Sequence, residues 1–185
     1  MENQMPAVTR PLPGEYAPYH EDYIGLVGTG EIITLLTDQI EKTKEILGAV
    51  PSEYSSFRYE DGKWTISEVV GHLIDTERVM AFRALAFARG DRYDIPGVDQ
   101  DQYVAESAYR NCRIPDLVLE FEALRVSTTS FFANLESDKW MRGGNASGQF
   151  VTVRALAYII AGHELHHIEV LRQRYLDSPE FALKD

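Results

Sequence analysis

Apolar side chains recur at three- and four-residue spacing in four long stretches of the chain, the period of an α-helix that buries one face. The first stretch predicts a helix over residues 29–47. Ile32, Leu35, Leu36, Ile40 and Leu47 share one side, Thr29 or Gly30 stands at its start, and Gly48 and Pro51 end it. The second predicts residues 67–89, stopped by Gly90. Thr65, with Glu68 three residues on, forms a capping box at its start. The third begins near Pro115, which suits a first helical turn, and carries Leu117, Phe121, Leu124, Phe131 and Leu135. The fourth covers residues 152–175. Short β-like pieces such as residues 56–59 read as connections, so the pattern predicts an all-α four-helix bundle. Residues 93–110 make a long crossover between the second and third helices, with room for one short helix. Residues 143–148, rich in glycine, read as a mobile turn or lid before the fourth helix.

Two of the apolar faces are interrupted by histidine. On the fourth helix Val153, Leu156, Ile160, His163, His167 and Leu171 fall on one side. Imidazoles four residues apart stack on one face and can aim at a single metal ion. Burying both without partners would cost several kcal/mol, which a metal or a polar network removes. The letters His163-Glu164-Leu165-His166-His167 also satisfy the H-E-x-x-H pattern of zinc peptidases, with Glu164 the natural general base if water is the nucleophile and a solvated or salt-bridged carboxylate as the equal alternative. Such peptidases take their third ligand from downstream. Only eighteen residues follow His167, and Val170 and Gln173 stand where the metzincin continuation needs glycine and histidine. Upstream, His72 breaks a second buried stripe, Val69-His72-Thr76-Val79-Arg83-Phe87, and is the better third ligand. A lone buried imidazole bonded to Asp75 or Glu68 is the alternative for His72. His20 is a further ligand candidate, more in keeping with a surface histidine, and His166 a weaker one. Arg83 and Arg154 are candidates for an anionic substrate group or for ordinary pairing with carboxylates.

Residues 64–90, W-T-I-S-E-V-V-G-H-L-I-D-T-E-R through F-R-A-L-A-F-A-R-G, and residues 153–171, V-R-A-L-A-Y-I-I-A-G-H-E-L-H-H-I-E-V-L, resemble two core helices of the DinB/YfiT-like family. That resemblance covers residues 28–177 and leaves an N-terminal arm, 1–27, and a tail, 178–185. It implies a metalloenzyme on a four-helix bundle, with a divalent transition metal held by His72, His163 and His167. Zinc and nickel lead the candidate ions, and manganese and iron also accept imidazole. It further implies a small-molecule substrate, a low-molecular-weight thiol among the candidates, and a homodimer. The function expected is thus a thiol S-transferase or hydrolase. An H-E-x-x-H peptidase and a non-catalytic metal-binding bundle are the alternatives.

Composition narrows the partners. A 185-residue chain that is 44% hydrophobic and 25% charged can bury one core. A net charge of −11 argues against a nucleic-acid partner, whose phosphates call for a basic surface. No apolar run long enough to span a membrane occurs. The first fifteen residues do not resemble a signal sequence, and a single cysteine, Cys112, suits a reducing cytoplasm.

Overall fold

A computed structural model describes residues 8–178 and Phe181. Four long helices form the bundle: α2 (Ile32–Gly48), α3 (Ile66–Arg89), α5 (Ile114–Ala133) and α6 (Val153–Val170). Two short helices, α1 (Glu21–Leu26) and α4 (Gln100–Glu106), lie in the arm and the crossover. The capping box forms as expected, with Thr65 accepting from the Glu68 N–H and Glu68 from the Thr65 N–H. Gly90 ends α3 in the left-handed region, φ 96°, where a side chain would be strained. At α2 the cap is Glu31, whose carboxylate accepts from the Thr34 N–H, so the helix starts later than Thr29 or Gly30 predicts. α6 continues through a π-turn, Leu171–Leu176, which ends with the Tyr175 hydroxyl donating to the Trp64 carbonyl at 2.8 Å.

The contacts between helices explain the long crossover. Glu77 and Arg78 on α3 face Arg125 and Glu120 on α5, while Ser67 near the start of α3 reaches the Cys112 carbonyl just before α5. α3 and α5 are therefore parallel neighbours, and the chain must return the length of the bundle between them. α6 runs antiparallel to α3 and packs against α2, which places His163 opposite His72.

Residues 143–148 are not a free turn. β1 (Gly143–Ala146) pairs antiparallel with β2 (Gln149–Thr152). The connection is Ser147-Gly148, both at positive φ, the two-residue geometry that matches strand twist. Ile95 pins the hairpin: its N–H donates to the Asn145 carbonyl, and its carbonyl accepts from the Ser147 N–H, each at 2.9 Å. The glycines serve close packing, since a Cβ on Gly144 would lie 2.4 Å from the Phe87 ring.

Apolar side chains divide into two clusters. One gathers the arm, the start of α2, the end of α3 and the start of α6; the other gathers the end of α2 and the starts of α3 and α5. Between them, at mid-height, lie the buried polar residues Gln39, Thr43, His72, Glu77, Arg125, His163 and Glu164. The first turns of α6 are buried on all sides, wider than one stripe, because α1 covers the face turned away from the bundle. Among the described residues no helix is long and apolar enough to cross a membrane.

Candidate metal centre

His72 comes from α3, and His163 and His167 come from α6, at the level where the two apolar clusters part. One ring nitrogen from each lies within 4.8 Å of the others. The Nε2 atoms of His72 and His163 are 3.1 Å apart, and the three ring centroids are 4.5–4.9 Å from one another. Two imidazoles bound to one zinc ion in tetrahedral geometry have their nitrogens roughly 3.3 Å apart, so this spacing fits a divalent ion with small side-chain adjustment. The donor set fits as well: three neutral nitrogens on a face with room beside it.

Burial keeps these rings neutral. It depresses His72 to about 4 and His167 to about 3, and lowers His163 well below the ordinary 6.5, with the neighbouring imidazoles adding to the effect on His163 and His167. Neutral imidazole is the form that binds a metal. The signs also fix a pH dependence for the metal-free protein. Between pH 6.5 and about 4 the unfolded chain binds protons that the folded chain excludes, so stability is full above 6.5 and falls as pH drops through that window. At pH 5 the expected loss from His72 alone is on the order of 2 kcal/mol. Urea unfolding of metal-free protein at pH 7.5 and pH 5 measures it, and an unchanged midpoint would contradict the burial of these rings.

The surroundings are aromatic on two sides. Trp64 lies 4.9 Å from the His72 ring, and Tyr23 of α1 meets His163 and His166 edge-on at 5.5 and 5.3 Å. His166 thus packs on the arm. Asp75 and Glu68 do not orient His72: Asp75 accepts from the Tyr109 hydroxyl at 2.8 Å, and Glu68 caps its own helix. The oxygen beside His72 Nδ1 is Thr76 Oγ1, at 3.5 Å.

A cleft of about 280 Å³ opens onto His72 and His163. Its walls are Tyr19, His20 and Tyr23 from the arm, Thr76 to Arg83 along α3, Val98 and Gln100 from the crossover, and Ser147 at the hairpin turn. His20 is part of this wall, with a buried Nδ1 that has no partner.

Glu164 is placed elsewhere. It is 1% exposed, accepts from Thr43 Oγ1, Gln39 Nε2 and Arg125 Nη2 at 2.6 Å each, and does not line the cleft. Arg125, itself 1% exposed, also holds Glu77 and donates to the Leu36 carbonyl. Burial pushes the Glu164 carboxyl up, while Arg125 and Thr43 pull it back. One signal along the chain points to this network: Arg125 sits on the stripe Leu117-Phe121-Arg125-Thr128-Phe132, where the period calls for an apolar residue. Of the two arginines considered for anion binding, Arg154 pairs with Glu15. Arg83 lines the cleft.

The model of the DinB superfamily matches residues 35–171. YfiT from Bacillus subtilis, described as a probable metal-dependent hydrolase with an unusual four-helix bundle topology, superposes with a TM-score of 0.66 at 19% identity, over 77% of this chain and 85% of that one. The mycothiol-dependent maleylpyruvate isomerase superposes at 0.65 with 16% identity, over 83% of this chain and 65% of that one, so this chain spans under two thirds of it. A Streptococcus pneumoniae protein solved by structural genomics superposes at 0.62 with 11% identity, over 85% and 99%. No curated protein sequence matches significantly.

Proposed function

Because this chain belongs to the DinB superfamily, we propose that it is a metal-dependent enzyme acting on a small molecule, with His72, His163 and His167 holding one divalent ion. The observation that carries this is the convergence of three neutral imidazoles from two helices, two of which, His72 and His163, are buried and open onto a cleft. When bound, such an ion supplies the Lewis acidity that lowers the pKa of a thiol or water reaching the cleft. The chain's own part is to hold the three rings, keep them unprotonated by burial, and limit water with Trp64 and Tyr23.

Between transfer to a thiol and hydrolysis, the first is favoured. Hydrolysis calls for a base beside the reacting water, and the expected base, Glu164, is engaged by Arg125, Thr43 and Gln39. A thiol brings its own nucleophile and needs little beyond activation and placement. The same burial of Glu164 counts against the peptidase alternative, which uses that carboxylate. A low-molecular-weight thiol as co-substrate, zinc or nickel as the ion, a cytoplasmic setting and a homodimer complete the proposal.

Elemental analysis of the purified protein, beside a His72→Ala/His163→Ala double variant, tests it. The parent is expected to carry one equivalent of transition metal and the double variant none, with unchanged helical circular dichroism. The single variant His167→Ala is expected to bind the same ion more than about tenfold more weakly. A parent that takes up no divalent ion after reconstitution would sink the enzyme and leave a bundle with a buried histidine network.

A further inference from the structure

Three arginines are buried among the described residues: Arg83 at 6% exposure, Arg125 at 1% and Arg154 at 9%. Two are neutralised. Arg125 is held between Glu77 and Glu164, and Arg154 is paired with Glu15. Arg83 has no carboxylate within ion-pair distance among the described residues, in a chain with 29 acidic side chains to 18 basic ones. Its Nη2 donates to neutral groups only, Ser147 Oγ at 3.1 Å and the Pro96 carbonyl at 3.3 Å. Its Nη1 meets the Met80 thioether sulfur at 3.6 Å, and its Nε has no partner. The Asp94 carboxylate accepts instead from the Gly148 N–H at 3.3 Å.

A buried cation is ordinarily paired, because desolvation without a counter-charge is costly. A chain this acidic has many ways to supply a carboxylate, yet the one that acts on Arg83, Asp94, does so from beyond ion-pair distance and none is in contact. The guanidinium sits in the wall of the same cleft that ends at His72 and His163. We propose that Arg83 is the anchor for a carboxylate group of the substrate, the missing counter-charge being brought by the ligand. The proposal rests on the cleft being the reacting site, and it adds the substrate class: a small organic acid.

Spacing and lining describe that acid further. Arg83 follows His72 by eleven residues on α3, three helical turns, so the two share a face about 16 Å apart along the axis. Arginine side chains on helices lean toward the N-terminus, here toward His72, which leaves on the order of 10 Å between the guanidinium and the imidazoles. Thr76, Val79 and Met80 of α3 lie between them, with Val98 and Gln100 of the crossover lining the same cleft. The carboxylate therefore sits several bonds from the reacting carbon, across a mostly apolar stem. Arginine favours this role over lysine because its planar donors match a carboxylate's two oxygens.

Calorimetric titration of metal-free protein with hexanoate, hexanol and inorganic phosphate tests the subsite apart from any ion and apart from turnover. Hexanoate is expected to bind the parent, and Arg83→Met to weaken it by at least about tenfold, while hexanol binds both proteins equally weakly. Thermal unfolding separates this role from a structural one. Removing a buried, unpaired charge should leave the unfolding midpoint of Arg83→Met at or above that of the parent, whereas an arginine kept for its bonds to Pro96 and Ser147 would lower it. Equal hexanoate affinity in parent and variant, or parental binding of phosphate in preference to hexanoate, would overturn the proposal. Should Arg83→Met not fold, the parent alone decides: a rise in its midpoint with hexanoate but not with hexanol supports the subsite, and equal shifts overturn it. Carboxylate binding in a protein that takes up no metal would retain the subsite and discard the metal-dependent reaction.

Discussion

Arg125→Met is expected to lower the stability of the bundle by about 3–5 kcal/mol, the cost of leaving buried charge without its partner. Arg125 makes three contacts to the Glu77 carboxylate at 2.7–3.1 Å, one to Glu164 at 2.6 Å and one to the Leu36 carbonyl at 2.9 Å. These partners belong to α3, α6 and α2, so one guanidinium joins the other three helices of the bundle through α5. Without it, two carboxylates of like charge face each other in the core, and the carbonyl of Leu36 loses its donor. The Glu164 carboxyl, which burial already pushes up, loses the guanidinium that pulls it back, so the deficit against the parent is largest at neutral pH and narrows as pH falls and that carboxyl takes up its proton. Adding Glu77→Gln and Glu164→Gln to Arg125→Met should recover part of the loss, since neutral amides are less costly to bury than unpaired carboxylates. Urea unfolding of the metal-free proteins at pH 7.5 and pH 6 measures both effects. A single variant within about 1 kcal/mol of the parent would show that water or another donor satisfies the carboxylates.

The network also explains why helix geometry alone does not place Glu164. The carboxylate lies about 100° around α6 from His163, which leaves open whether it faces the cleft or the core. What settles the matter is a residue 39 positions away, and no local pattern encodes that pairing. Arg125 itself was visible as a charge on an apolar stripe, the same kind of interruption that singled out His72 and His163. An interrupting histidine suggests a ligand because imidazole has few other reasons to be buried, whereas an interrupting arginine on an amphipathic helix is usually at the edge of the stripe with its head in water. Helix ends were better specified. The Thr65–Glu68 box, Pro115 and Gly90 each act within one turn, so their neighbours in sequence are their partners in space. The β-hairpin left little trace because four-residue strands show almost no alternation, and its glycines are dictated by the Phe87 and Phe150 rings. The arm was legible as an arm but not as the outer wall of the cleft, since that depends on the approach of α1 to α6.

That approach makes Gly162→Ala the second large effect. A Cβ at Gly162 would lie 2.0 Å from the Tyr23 carbonyl oxygen and 2.4 Å from its carbon. These are backbone atoms, so no side-chain rotation relieves the overlap, and α1 must withdraw by about 1 Å or more to reach a tolerable separation. Alanine within a helix gains about 0.5–1 kcal/mol over glycine, which overpacking at about 1–3 kcal/mol or more exceeds. A net loss of about 2 kcal/mol is expected, concentrated in the arm and not in the bundle. The arm is tied down elsewhere, by Thr9 and Glu15 on Arg154 and by the Glu15 carbonyl on the Thr152 N–H. It should therefore shift and open more often without detaching altogether. Because Tyr23 packs on His163 and His166, and Tyr19 and His20 line the cleft, the shift widens the entrance while leaving the backbone of the histidine helix in place. Metal content should then stay at the parental level while proteolysis within residues 8–27 speeds up and the urea midpoint falls. Cleavage at the parental rate with an unchanged midpoint would mean that α1 does not press on Gly162, and the cleft would lose its outer wall as described. Loss of metal together with faster cleavage would instead make the arm part of what holds the histidines, a closer coupling than the contacts through Tyr23 alone require.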